Sequence, residues 1–238
     1  MTEPKKLLVV IPAYNEEPNI GRVLDETRAA QPHALILVVD DGSADRTAEV
    51  ARRAGARVMS HPFNLGYGAA VQTGFKYADR AGFDRVVILD GDGQHDPNDI
   101  DRLLEGSEGV DVVRGSRFLG GAPYRIPLLR RAGMKVFGTA ASILTGQRVT
   151  DVTSGFQALN AVAVRFLAQN YPTDYPDADT VILMKRAGLT SREVPVQMRE
   201  RLSGTAMVSW AKSFYYVFKM CLSILVTLLR EKPRLDRA

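Results

Sequence analysis

Short apolar runs punctuate the first half of the chain at regular intervals. Leu7–Ile11, Leu35–Val39 and Val86–Leu89 are continuous, rich in β-branched residues and bounded by polar or turn-forming positions, the pattern of strands buried on both faces. Arg57–Ser60 and Val110–Val113 read as two shorter strands. Between them the apolar positions fall at helical spacing: Ile20, Val23, Leu24 and Thr27 within Glu17–Ala30, then helices over Asp45–Ala54, Gly68–Ala81 and Pro97–Leu104. Ser43 or Asp45 supplies the cap of the second helix, and Gly55 ends it. Strands alternating with helices predict an α/β fold, a Rossmann-like and mostly parallel sheet with helices on both faces.

The pattern changes past residue 117. Arg125–Thr145 is a long helix with a basic, amphipathic start at Arg125, Arg130 and Arg131. A polar loop from Thr150 leads into a strand by Leu159, followed by short helices over Val162–Gln169 and Asp179–Ala187 and a strand over Ser191–Val196. The last helix, Ala211–Arg230, gathers Lys212, Tyr216, Lys219, Ser223, Thr227 and Arg230 into one stripe and is otherwise apolar. A membrane span needs about 20 apolar residues. This run is shorter and Lys219 interrupts it, so it is expected to lie on a membrane or pack on a partner.

Composition narrows the function classes only a little. With 238 residues, 45% apolar and 24% charged, the chain suits one sizeable core rather than a disordered segment. A net charge of +4 fits an anionic ligand or surface, but no dense Lys/Arg stripe with interleaved aromatics points to nucleic acid. The single cysteine, Cys221, excludes an intrachain disulfide and a Cys-based metal site, and a reducing compartment follows. The polar start, Met1–Lys6, and the short apolar run after it do not make a signal peptide, so a cytoplasmic place is expected.

The candidate chemistry gathers at the ends of the parallel strands, where ligands of such sheets bind. Asp90-Gly91-Asp92 closes one strand: two carboxylates one residue apart, with Gly91 and Gly93 permitting close backbone approach. Hard oxygen donors suit Mg²⁺ or Mn²⁺, whose shells are completed by phosphate oxygens. Asp-Gly is also an ordinary turn. The four buried apolar residues before it and Gln94-His95-Asp96-Pro97 after it favour the site. Asp40-Asp41-Gly42-Ser43 closes another strand, where a carboxylate can accept from a ribose diol or a base. Pro12-Ala13-Tyr14-Asn15-Glu16 follows the first, and Tyr14 could stack on a base.

These runs, with Asn64-Leu65-Gly66, Gly68, Gly115-Ser116-Arg117, Leu144-Thr145-Gly146 and Asp151-Val152-Thr153-Ser154-Gly155-Phe156, resemble family 2 glycosyltransferases of the GT-A fold. Within that family the chain resembles the branch of dolichyl-phosphate mannose synthase and bacterial polyprenyl-phosphate glycosyltransferases. The resemblance runs in order from about residue 5 to about residue 205. It implies a GT-A domain over 1–205, with a nucleotide-sugar half up to 117 and an acceptor half from 118, and an amphipathic appendage over 206–238. Pro12, Tyr14, Glu16, Val39 and Asp41 would hold the nucleoside, and Asp90 and Asp92 the donor phosphates and the metal, with Gln94 as a third metal ligand. Arg117 and Arg201 would grip the diphosphate or an acceptor phosphate. Two positions depart from the pattern: Met207 stands where relatives carry Lys, and Gln157 where they carry Arg. The spanning helices of many relatives are replaced by the single amphipathic helix.

The expected activity is inverting transfer of a hexose from a UDP- or GDP-sugar to a polyprenyl phosphate, on the inner face of the cell membrane. A lipid phosphate is anionic near pH 7 and needs no general base. A soluble, protein or polysaccharide hydroxyl acceptor would need one, and Asp151 is the candidate. The alternative for Asp151 is a loop carboxylate satisfied by backbone N–H groups or by Arg148. A nucleotidyltransferase would show a Gly-rich basic loop after the first strand, which is missing. A non-catalytic binding protein of this fold is opposed by intact Asp90, Asp92 and Gln94. The last helix leaves room for a homo-oligomer or a small membrane-protein partner.

Overall fold

The buried apolar runs lie side by side in one seven-stranded sheet. The computed structural model describes residues 6–119, 128–173, 176–199, 210–233 and 235, with backbone alone at 128–133 and 210–218. The strands are β1 (Leu7–Ala13), β2 (Leu35–Asp40), β3 (Arg57–Ser60), β4 (Arg85–Ile88), β5 (Val112–Ser116), β6 (Gln157–Asn160) and β7 (Ser191–Pro195). Their order is β3-β2-β1-β4-β6-β5-β7. All pairings are parallel except those of β6, which runs antiparallel between β4 and β5. The helices are α1 (Glu17–Ala30), α2 (Thr47–Arg53), α3 (Tyr67–Ala81), α4 (Ile100–Glu105), α5 (Leu128–Thr145), α6 (Ala161–Asn170), α7 (Ala178–Ala187) and α8 (Trp210–Leu229).

Alternation along β1 divides the core between the two faces of the sheet. Leu8 and Val10 join Phe75, Leu167 and Met184 from α3, α6 and α7, whereas Val9 and Ile11 join Ile20, Leu24, Ala51 and Leu103 from α1, α2 and α4. Each such Val, Leu or Ile taken from water contributes about 1.5–3 kcal/mol. A Cβ at Gly74 would run into the Val10 side chain, so α3 approaches the sheet more closely than any larger residue there would permit.

β5 and α2 differ from the sequence reading. β5 begins and ends later than Val110–Val113, because Arg114 and Ser116 are polar yet buried inside it, at 2% and 0% exposure. α2 starts at Thr47 rather than Asp45. Asp45 stands ahead of it and accepts from Thr47 N at 3.0 Å, while the Ser43 hydroxyl accepts from Asn15 N instead of capping. Arg125 lies outside the described residues, as do the side chains of Arg130 and Arg131.

The last helix turns two residues of its polar stripe, Ser223 and Thr227, inward, while Arg230 of the same stripe is exposed. Met220 packs with Phe137 and Ala141 of α5 and Val181 of α7, with Ile224 beside it. Ser223 and Thr227, both from the polar stripe, face the domain, Thr227 being buried. Leu222, Leu225, Val226 and Leu229 are exposed. Val136, Ile143 and Leu144 of α5 are exposed as well. Among the described residues no helix is long and apolar enough to cross a membrane.

Candidate active site

The carboxyl ends of β2, β1 and β4 are neighbours, so the three acidic loops meet along one edge of the sheet. The loops after β1 and β2 are laced together. Asn15, in the left-handed region at φ 54°, donates its N–H to Ser43 Oγ at 2.9 Å and accepts Ala44 N on its side-chain oxygen at 2.9 Å. Glu16 N donates to Thr47 Oγ1 at 2.8 Å, and the buried Glu16 carboxylate accepts from Asn19 Nδ2 at 2.7 Å. Tyr14 is left with 47% of its surface exposed on this rim, beside buried Pro12 and Val39.

Asp40 and Asp41 are both buried but differently engaged. Asp40 Oδ1 accepts from Ser43 N at 3.2 Å. Asp41 accepts Leu65 N at 2.9 Å and Gly66 N at 2.8 Å, and its Oδ1 lies 2.7 Å from His61 Nδ1. His61 in turn reaches Thr73 Oγ1 of α3 at 2.9 Å. Asp41 thus shapes the loop that leads into α3, a second duty beside the nucleoside contact the sequence implies.

Asp90 and Asp92 are half-buried at the end of β4. Gly91 packs on β1, where a Cβ would come within 3.2 Å of Pro12 O, and Gly93 takes φ 75°, open to glycine without strain. Asp92 Oδ1 accepts from Gln94 N at 3.0 Å. Asp90 Oδ1 accepts from the Tyr67 hydroxyl at 3.0 Å, and Asp90 N donates to His95 Nδ1 at 3.2 Å. His95 is buried and stacks on Phe156 with ring centroids 4.9 Å apart. Tyr67 keeps an exposed edge, but protein crowding its hydroxyl, and after it the Asp90 charge, push its phenol well above the ordinary tyrosine range. It therefore remains a donor to Asp90. A Cβ at Gly155 would run into the Tyr67 hydroxyl and lie 3.1 Å from Asp90 Oδ1.

The donor set fits a hard divalent cation that takes few protein ligands. Among the described residues no cluster of three or more Asp, Glu, His or Cys side chains is arranged as a self-sufficient metal cage. Two half-exposed carboxylates at a crevice edge are instead the partial set that Mg²⁺ or Mn²⁺ uses when diphosphate oxygens and water complete its shell. Gln94, the third expected ligand, directs its Nε2 toward Arg199 O at 3.5 Å.

Arg117 and Asp151 meet in a buried pair. Nε and Nη2 of Arg117 lie 2.6 Å from Asp151 Oδ2 and Oδ1, and Arg117 N donates to Oδ2 at 3.1 Å. Nη2 also donates to Thr153 Oγ1 at 2.5 Å. Asp151 has no exposed surface, and its partner is Arg117, not Arg148. Gln157 is buried and donates to Ser154 O at 3.0 Å. Arg201 and Met207 lie outside the described residues. The sequence alone assigns no role to Tyr67, His61 or His95. Tyr67 follows Asn64-Leu65-Gly66 and His95 follows Gln94, but neither motif says which carboxylate its aromatic residue will touch.

A mostly parallel sheet with paired carboxylates at the strand end where three loops meet is the arrangement of transferases with the GT-A fold. The model for glycosyl transferase family 2 matches residues 8–166, and the chain belongs to that family. It is 31% identical over 245 residues to the polyprenol monophosphomannose synthase of Mycolicibacterium smegmatis, covering 98% of this chain and 90% of the relative. It is 36% identical over 207 residues to the dolichyl-phosphate hexose transferase of Haloferax volcanii, covering 86% and 88%. Among solved structures, glucosyl-3-phosphoglycerate synthase from Mycobacterium tuberculosis, in complex with Mn²⁺, uridine diphosphate and glucosyl-3-phosphoglycerate, shares the fold. Its TM-score is 0.67 and its identity 21%, over 98% of this chain and 82% of that one.

Proposed function

We propose that this glycosyltransferase moves a hexose from a UDP- or GDP-sugar to a polyprenyl phosphate, with inversion at the anomeric carbon. Pro12, Tyr14, Glu16, Val39 and Asp40 would surround the nucleoside, with Asp41 acting there directly and through the loop at Leu65–Gly66. Asp90, Gly91 and Asp92 would face the diphosphate. Mg²⁺ or Mn²⁺ at Asp90, Asp92 and Gln94 would neutralise the departing diphosphate, a reading supported by the Mn²⁺ and uridine diphosphate named in the solved relative. Arg117 and Arg201 would bind phosphate oxygens as planar, always-charged donors.

In the transfer, an oxygen of the acceptor phosphate forms a bond to C1 of the hexose. The bond from C1 to the nucleoside diphosphate breaks, and its electron pair leaves with the diphosphate. The acceptor is already anionic, so the protein has to align it rather than deprotonate it. Asp151 fits the task of holding Arg117 better than that of a base, since both its oxygens are engaged and none of its surface is exposed.

The seat of α8 is the observation that carries the lipid acceptor. A helix that turns serine and threonine toward its own domain and leucines outward is built to meet an apolar phase. Neither α5 nor α8 contains an Asp or Glu, which suits an anionic leaflet. The names of the two relatives point to the same acceptor class. The chain would then work peripherally on the inner face of the cell membrane. The test is full-length protein with labelled UDP- and GDP-sugars, Mn²⁺ and polyprenyl phosphate in anionic vesicles. Label should enter the organic phase and be abolished by Asp92→Ala. Label found only in water-soluble product would replace this reading with transfer to a hydroxyl.

A further inference from the structure

A carboxylate with no assigned task lies directly behind the Arg117–Asp151 pair. Glu193 stands in the middle of β7, yet it makes no ion pair within 4.0 Å among the described residues. Its oxygens turn to the backbone of the loop that carries Asp151. Oε2 accepts from Thr150 N at 2.9 Å and from Thr150 Oγ1 at 2.7 Å. Oε1 accepts from Thr150 N at 3.0 Å and Asp151 N at 3.1 Å. Thr150 Oγ1 also lies 2.6 Å from Ser116 Oγ, and that oxygen accepts from Phe118 N at 3.2 Å. The residues on both sides of Arg117 and the residue that holds its guanidinium are therefore all tied back to one side chain.

The layer below supplies the opposite charge. Arg114 is in register with Glu193 across the β5–β7 pairing and is 2% exposed. Its Nε has no hydrogen-bond partner among the described residues. Burial lowers its pKa, and the charges of Glu193 and Asp151 oppose that shift. The positive charge of this buried guanidinium thus bears on both carboxylates that set Arg117.

We propose that Glu193 is a positioning residue for Arg117: it fixes the Thr150–Asp151 backbone and, through Asp151, the direction of the guanidinium. The inference rests on the reading above that Arg117 meets a phosphate. A brace of this kind matters for rate because a misplacement of about 1 Å at a phosphate-binding group costs about 100-fold.

The experiment uses the full chain with Glu193→Ala, the near-isosteric Glu193→Gln, Arg117→Ala and the double variant. Donor and acceptor kinetics are measured alongside the thermal shift given by nucleotide. Phenylglyoxal modification of Arg117 is followed by peptide mass. Glu193→Ala should lower kcat about 10-fold or more. Glu193→Gln, which keeps one accepting oxygen, should recover part of the loss and serves if the alanine variant does not fold. The double variant should lose no more than about 2-fold beyond Arg117→Ala. Arg117, 8% exposed in the native protein, should become reactive to phenylglyoxal. Additive losses, wild-type turnover in both Glu193 variants, or unchanged protection of Arg117 would each overturn the proposal. If wild-type protein transfers nothing to lipid phosphate, the functional reading fails, and the modification pattern alone still decides the relay.

Discussion

Ser223 donates its hydroxyl to Asp179 Oδ2 at 2.5 Å, tying the last helix to the first turn of α7. Asp179 is 1% exposed, and its other oxygen accepts Thr180 N and Asp177 N. Burial raises its pKa, and the hydrogen bonds from Ser223 and the two amides only partly offset this.

The pH dependence of stability follows from that shift. In the unfolded chain Asp179 titrates in the ordinary range near pH 4. The folded chain holds the proton to higher pH, so across this window the native state binds more protons than the unfolded state. Stability from this residue is therefore present at low pH, falls as pH rises through the folded pKa and is flat above it. Asp179→Asn removes this slope and keeps a polar partner for Ser223. The Tm of the variant relative to wild type should climb with pH and then level off. Parallel Tm curves for the two proteins would contradict the assignment.

The outward face of α8 gives a membrane prediction. Leu225→Glu and Leu229→Glu each replace an exposed leucine with a charge. A leucine buried in an apolar phase contributes about 1.5–3 kcal/mol, so affinity for anionic vesicles should fall about 10-fold or more per substitution. The nucleotide-induced thermal shift should not change. Undiminished flotation of the double variant would remove the face from the membrane contact.

Tyr67 and Gly155 make a paired prediction about Asp90. Tyr67→Phe deletes one donor to the carboxylate and should reduce turnover by about 10-fold, with stability lowered by about 1 kcal/mol or less. Gly155→Ala brings a methyl onto the Tyr67 hydroxyl and should cost more activity than Tyr67→Phe. In the Gly155→Ala, Tyr67→Phe double variant the missing hydroxyl makes room for the methyl. Activity should return toward that of Tyr67→Phe alone; a double variant as inactive as Gly155→Ala would argue against this contact.

Asp41 and Asp40 should separate in a stability assay. Asp41→Ala strands the amides of Leu65 and Gly66 and the His61 ring, at about 1–3 kcal/mol for a buried unpaired group. Asp40→Ala removes the single bond to Ser43 N and should cost less. Urea midpoints of the two variants check the order.

Much of this was legible in the chain, and the limits have physical causes. β1, β2 and β4 were evident because strands covered on both faces must be apolar throughout, as Leu8–Ile11 and Leu37–Val39 are. β5 was misplaced because Arg114 and Ser116 carry polar side chains into the interior, where only the tertiary partners Glu193, Asp151 and Thr150 make them tolerable. The Asp90-Gly91-Asp92 run marks the acidic edge of the sheet where the proposed cation would sit. That Tyr67 would reach it from α3, and His95 would fold back beneath it, depends on contacts that no local spacing encodes. The stripe on α8 was visible too, but not which way it would turn.

β6 has a consequence for modularity. The residues that would form the nucleotide-sugar half end just past β5, yet β6 comes from later in the chain and is seated between β4 and β5. Cutting the chain after residue 119 would leave β4 and β5 facing a vacant slot one strand wide, with bare amides and carbonyls on both sides. A division of the chain near residue 117 therefore runs through a single sheet, because one strand of four residues, Gln157–Asn160, is the mortar between its two sides.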